Sequence, residues 1–205
     1  MSHIHYGVYL IPPPQLIYQI GLAHQLLLSE FNAKIAGKFM VHCTLKGFFK
    51  PKEGTTYHDF ITNLDALFQN QKPITLEFPQ LAKVNMNNHA SILLLMATNQ
   101  PLMQLHNAIW DVVADYIAPD CAFSAREPAR INFMPHITLA QHDLPTEEGL
   151  FAQAADFCQY MLDTHLQGQF IGRDLQLIEF YADDWAGNWG DTMRYKQIKG
   201  WQLSG

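Results

Sequence analysis

His42-Cys43-Thr44-Leu45 and His136-Ile137-Thr138-Leu139 are two copies of one short pattern, about 94 residues apart in a chain of 205. Each lies in an apolar run that reads as a strand, Phe39 to Phe49 and Phe133 to Ala140. Side chains on a strand alternate between faces. His42 and Thr44 therefore share one face while Cys43 and Leu45 take the other, and His136 and Thr138 likewise stand opposite Ile137 and Leu139. A polar face and an apolar face on one strand are expected when the strand lines a cleft on one side and packs against helices on the other.

Ahead of the first copy, Ile4 to Ile11 reads as a strand that ends at Pro12-Pro13-Pro14. Leu16 to Phe31 then has helical spacing, with Leu16, Ile20, Ala23, Leu27 and Phe31 on one stripe. Past the first copy, Thr55 or Thr56 can cap a helix from Tyr57 to Phe68. Ile74 to Val84 and Ser91 to Ala97 follow as two strands joined by Asn85 to His89. Leu102 to Tyr116 is the clearest helix, and Cys121 to Asn132 is polar and irregular. After the second copy come a helix from Glu147 to Thr164 and strands over Phe170 to Tyr181 and Met193 to Trp201. A loop from Ala182 to Asp191 separates those strands. Each copy thus precedes a helix that leads into a pair of strands, which is a weak internal repeat. No stretch has the length of a linker, so residues 1–205 are expected to form one domain.

Composition narrows the partners. Hydrophobic residues at 48% support a substantial core, and 13 Lys and Arg against 19 Asp and Glu leave a net charge of -6. A long polyanion favours a basic footprint, so DNA is not expected as a partner. Cys43, Cys121 and Cys158 fit neither a disulfide framework nor a cysteine zinc site. Met1 to Tyr9 lacks the pattern of a signal peptide, and no apolar run approaches membrane-spanning length. The expectation is a cytoplasmic monomer without a membrane partner.

Two imidazoles and two hydroxyls on one cleft suit phosphodiester chemistry without a metal. Histidine exchanges protons near neutral pH, and threonine can hold a non-bridging oxygen without adding charge. In-line attack at phosphorus needs a base on one side and an acid on the other, each worth about 10²–10⁴-fold. One His-x-Thr alone is commonly structural; the repetition makes His42 and His136 the candidate acid and base, with Thr44 and Thr138 holding phosphate. Lys46, two residues past Thr44, would share its face and screen phosphate charge. Arg126 and Arg130 could reach a phosphate from the loop before the second copy, and Trp185 and Trp189 could stack on a base. His3 and His5 alternate on the first strand as pocket or terminal residues, and the remaining histidines lack metal-ligand spacing. A zinc hydrolase assembled from distant histidines and a nucleotide- or RNA-binding module without turnover are the competing readings.

The two motifs, with Pro135 directly before the second histidine, resemble the 2H phosphoesterase superfamily, which contains the 2'-5' RNA ligase-like proteins and cyclic nucleotide phosphodiesterases. The resemblance covers nearly the whole chain. It implies an α+β, bilobal, pseudo-two-fold fold with small antiparallel sheets around a cleft and helices outside. It further implies metal- and cofactor-free hydrolysis of a 2',3'-cyclic phosphate, a related small cyclic or 2'-5' nucleotide, or an RNA end, with His136 as the base. Joining of RNA ends through a 2'-5' bond is the implied alternative. The acidic charge and the tryptophan loop from Asp183 to Trp189 depart from the RNA-processing members and bear on the substrate more than on the chemistry.

Overall fold

The computed structural model describes residues 4–77, 80–86, 89–123, 133–165, 168–187 and 189–204. Arg126 and Arg130 lie outside the described residues.

Strand β1 (Ile4–Ile11) turns Tyr6, Val8 and Leu10 into the main core. Helix α1 (Pro14–Phe31) opens on Pro14, whose missing N–H costs nothing in a first turn, and closes on Asn32 in the left-handed conformation at φ 55°. It buries Leu16, Ile20, Ala23 and Leu27 of the expected stripe, with His24 among them, and leaves Phe31 half-buried at its end. Strand β2 (Cys43–Phe49) carries the first motif. Thr56 and Asp59 then exchange side-chain and backbone hydrogen bonds in a capping box, starting the turn into α2 (Ile61–Phe68).

The run from Ile74 to Val84 is not one strand but two, and so is the run from Phe170 to Tyr181. Strand β3 (Ile74–Glu77) is separate from β4 (Gln80–Met86), as β7 (Gln169–Gly172) is from β8 (Asp174–Tyr181). The reason is a change of partner: β3 and β7 pair with each other in a two-stranded ladder, while β4 and β8 join the large sheet. Gly172 permits this crossing, since a β-carbon there would lie 2.7 Å from Leu10 Cδ1. Both breaks fall at matching places in the two half-patterns, so the internal repeat runs deeper than the motifs.

The remaining elements are β5 (His89–Leu95), α3 (Gln100–Val113), β6 (His136–Gln141), α4 (Glu148–His165), the short α5 (Trp189–Thr192) and β9 (Arg194–Gln202). The large sheet has the order β4-β5-β6-β2-β1-β8-β9, with each paired neighbour antiparallel. Its middle is a narrow seam, because β2 and β6 pair only at Cys43↔Ile137. Two lobes meet there: β4-β5-β6 on one side and β2-β1-β8-β9 on the other.

Helices cover the lobes crosswise. Helix α1 lies between β1 and β2 in the chain, yet it packs on β6 and α4 in the other lobe. Helix α3 lies between β5 and β6, yet it packs on β2 and α2. This α+β, bilobal arrangement leaves the sheet face opposite the main core to a second, largely aromatic cluster of Tyr9, Ile11, Ile178, Phe180 and Met193, against which Phe39, Phe48, Trp185 and Trp189 pack. Among the described residues no helix is long and apolar enough to cross a membrane.

Candidate active site

The seam brings the two motifs together. Cys43 and Ile137 face each other across it and both point into the core. Continuing that antiparallel register by one residue either way sets His42 opposite Thr138 and Thr44 opposite His136. Opposed side chains have β-carbons about 5 Å apart, and alternate residues on one strand are about 7 Å apart. Each histidine therefore stands across from the other motif's threonine, in a quartet the size of a phosphate with its immediate neighbours.

The imidazoles are oriented by the same device. His42 Nδ1 donates to the Met40 carbonyl at 2.6 Å, and His136 Nδ1 donates to the Met134 carbonyl at 2.9 Å. With the proton held on Nδ1, each neutral ring keeps its Nε2 lone pair free for proton transfer. Phe39-Met40-Val41-His42 and Phe133-Met134-Pro135-His136 show that the sequence repeat begins three residues earlier than the motif itself. That longer match is the available sign of the two carbonyl anchors. The Tyr9 ring adds a T-shaped contact to His42 at 4.7 Å between centroids. Asp143, just past β6, accepts from the amides of Lys34 at 2.5 Å and Ile35 at 3.0 Å, tying the approach to the first motif onto the end of the second.

Burial lowers the His42 pKa to about 4; the Met40 hydrogen bond opposes the shift, and the nearby His136 and His24 charges add to it. Burial also lowers His136, against the Met134 hydrogen bond. Both penalties act on the charged ring, so the pair is neutral at pH 7 until an anion enters the cleft.

Lys46 does not join the quartet. Its side chain is 0% exposed, with Nζ 4.3 Å from the centre of the Trp110 ring on α3 and bonded to the Gly47 carbonyl at 3.2 Å. The expected alternation from Thr44 to Lys46 fails because the β1–β2 register slips between Tyr9↔Thr44 and Val8↔Lys46. Leu45 is the extra residue of that bulge and turns Lys46 to the core face beside Val8; a second slip, between Val8↔Lys46 and Tyr6↔Phe49, returns Phe48 to the quartet's side and Phe49 to the core.

Trp185 and Trp189 do lie on the quartet's side of the sheet. Their rings are within 24° of parallel at 6.2 Å, and both meet Phe48 at 5.3 Å. Phe39 connects Trp189 (5.9 Å) to His42 (6.2 Å), so an aromatic wall runs outward from the seam. His5 forms the far end of that wall, 4.0 Å from Trp185, with burial lowering its pKa to about 4. Among the described residues no group of three or more His, Cys, Asp or Glu could hold a metal ion.

A fold with a central pair of His-x-Thr strands and crossed helices defines a phosphoesterase-like class, and the chain belongs to the 2'-5' RNA ligase superfamily, whose family model matches residues 12–184. No curated protein matches it. Among solved structures it is similar to TT0787 of Thermus thermophilus, with a TM-score of 0.67, 13% identity and 98% of each chain covered. E. coli LigT complexed with 3'-AMP gives a TM-score of 0.57 at 14% identity over 100% of both chains. A structure described as a phosphoesterase gives 0.54 at 16% identity, covering 98% of this chain and 99% of the other. At such identities these likenesses establish the fold.

Proposed function

We propose that the protein is a metal-independent phosphodiesterase that opens a 2',3'-cyclic phosphate, or a related small cyclic or 2'-5' nucleotide or RNA end. The observation that carries this reading is the cross-paired quartet, with both imidazoles anchored through Nδ1 and both Nε2 atoms left for chemistry. One neutral ring takes a proton from water as its oxygen attacks phosphorus, and the other, protonated, gives a proton to the departing ribose oxygen. The two threonine hydroxyls donate to the non-bridging oxygens as charge builds on them. Run backwards, the same quartet joins ends, with the two histidines exchanging roles. That is why family membership supports 2'-5' joining as the second reading.

Trp185 and Trp189 are proposed to stack on the base, a placement consistent with E. coli LigT having been obtained with 3'-AMP. Three buried cysteines held as thiols suit a reducing compartment, and the cytoplasm is the proposed place of action. The test is hydrolysis by the purified protein of 2',3'-cyclic mononucleotides, 3',5'-cyclic nucleotides, 2'-5'-linked dinucleotides and cyclic-phosphate-ended RNA, before and after exhaustive chelation. Turnover unaffected by chelation is expected. No turnover on the whole panel, or turnover lost with chelator and restored by zinc or manganese, would reject the reading.

A further inference from the structure

Both motif strands are interrupted just past the threonine. In β2 the register against β1 slips between Thr44 and Lys46, leaving Leu45 without a partner of its own. In β6 the register against β5 slips between Leu93↔Thr138 and Ile92↔Ala140, leaving Leu139 in the same position. A bulge disrupts the ladder and takes backbone groups out of it. A buried carbonyl without a donor costs about 1–3 kcal/mol.

Two buried imidazoles answer these interruptions, and they do so crosswise. His106 on α3 donates from Nδ1 to the Leu45 carbonyl at 2.6 Å, and its ring is stacked on Phe133 at 3.9 Å and 8°. His24 on α1 donates from Nε2 to the Thr138 carbonyl at 3.2 Å. Helix α1 precedes the first motif and serves the second; helix α3 precedes the second and serves the first. Each bond falls on the threonine or on the residue after it, where a small rotation of the strand swings the hydroxyl and the histidine two residues back.

We propose that His24 and His106 are positioning residues, each donating beside the bulge to the motif strand its helix packs on, which is not the motif its helix precedes in the chain, and so setting the spacing of the four catalytic side chains. The proposal rests on the assignment of His42, Thr44, His136 and Thr138 as the reacting quartet. Neither histidine touches substrate; each acts through a main-chain carbonyl. A volume-filling role would need only a side chain of similar size, whereas this role needs a donor at one particular atom.

Amide side chains separate the two. The Nδ2 of Asn stands where Nδ1 of His stands, and the Nε2 of Gln stands where Nε2 of His stands. His106→Asn and His24→Gln are matched replacements, while His106→Gln and His24→Asn are mismatched. The experiment measures kcat and KM for a substrate that the wild-type protein hydrolyses, with melting temperature beside them. His106→Leu and His24→Leu should lower kcat about 10- to 100-fold, with KM moving less than about threefold, because misplacement by about 1 Å costs up to about 10²-fold. The matched amides should return kcat to within about threefold of wild type and the mismatched ones should not. Leucine variants with wild-type kcat, a loss confined to KM, or equal rescue by matched and mismatched amides would overturn the proposal. If the leucine variants fail to fold, the contrast between matched and mismatched amides still decides it. If the wild-type protein hydrolyses nothing on the panel, the proposed function fails by itself. Positioning is then read from the imidazole ¹⁵N shifts of His42 and His136, which must move in the mismatched variants and return in the matched ones; shifts identical in both sets would overturn it.

Discussion

Gly7 and Tyr9 interlock on one face of β1: a β-carbon on Gly7 would lie 2.6 Å from Cε2 and Cζ of the Tyr9 ring and would collide with its hydroxyl. The ring lies back over the glycine, and from there it meets His42 in a T-shaped contact at 80°. Gly7→Ala must push the ring away and release one wall of the His42 site. We expect kcat/KM to fall at least about tenfold, since small misalignments are costly in proton transfer. Steady-state kinetics with a melting curve check this; a folded Gly7→Ala protein with wild-type kcat/KM would show that His42 does not depend on Tyr9.

Removal of the quartet members should grade by role. His42→Ala and His136→Ala each lose at least about 10²-fold in turnover, and the double variant loses far less than the product because the two act as a unit. Thr44→Val and Thr138→Val keep the branched shape but remove a donor to charged oxygen, worth about 1.5–3 kcal/mol. That converts to about 10–150-fold in kcat/KM. Single-turnover and steady-state rates on the best substrate of the panel provide the check, and near-normal kinetics in either histidine variant would remove that residue from the mechanism.

The pair needs one proton shared between two rings, and burial lowers both ring pKa values. The singly protonated state is then most abundant below about pH 6.5, and above it both rings lose their protons. The kcat/KM profile, which reports free protein, should be bell-shaped with its maximum on the acid side of about pH 6.5. The kcat profile should sit at higher pH, because the bound phosphate anion stabilises an imidazolium. A kcat/KM maximum above about pH 7 would contradict the depressed values.

Stability should follow the same sign. A histidine whose folded pKa is below its unfolded one favours folding fully above about pH 6.5 and loses that contribution as pH falls toward about 4. His5 and His42, both lowered to about 4, place the loss in that window. Denaturant midpoints should be flat from about pH 8 to 7 and fall from about 6.5 to 4.5, and His5→Phe should make the fall shallower. An unchanged acid slope in His5→Phe would remove His5 from the account.

Much of the fold and site is legible from residue order. The two motifs, their faces and the stripe of α1 follow from periods of 2 and 3.6 along the chain. What escapes is whatever depends on a partner strand. Counting from Thr44 puts Lys46 in the cleft, and a bulge defined against Val8 and Tyr9 reverses that count. The breaks between β3 and β4 and between β7 and β8 are likewise set by which strand pairs with which. His24 and His106 read as ordinary helix residues because their acceptors lie 114 and 61 positions away.

Substrate length provides the fifth prediction. Of the cations, Lys46 is buried, Lys50 pairs with Asp120 at 2.5 Å and Lys199 with Asp65 at 2.7 Å. A protein neutralising six to ten phosphates loses about 10³–10⁵ in affinity between 50 and 200 mM salt. Here KM should rise only several-fold over that range, and a 2',3'-cyclic mononucleotide should perform as well as a cyclic-phosphate-ended 20-mer. Comparing kcat/KM for both at both salt concentrations checks it. An advantage above about tenfold for the 20-mer that salt erases would make this an enzyme of long RNA ends.

Crossed helices have a consequence for how the molecule can be divided. One lobe takes α1, β4, β5, β6 and α4, and the other takes β1, β2, α2, α3, β8 and β9, so the polypeptide passes back and forth between them. No cut at a single loop separates one lobe from the other. A break at residues 97–99 would leave each fragment with sheet surface whose cover is on the other, and both would need to be co-expressed to regain a core. Each lobe's helical cover is bound up with the chain of the other, so the two are expected to unfold together, as one clasp rather than two hinged halves.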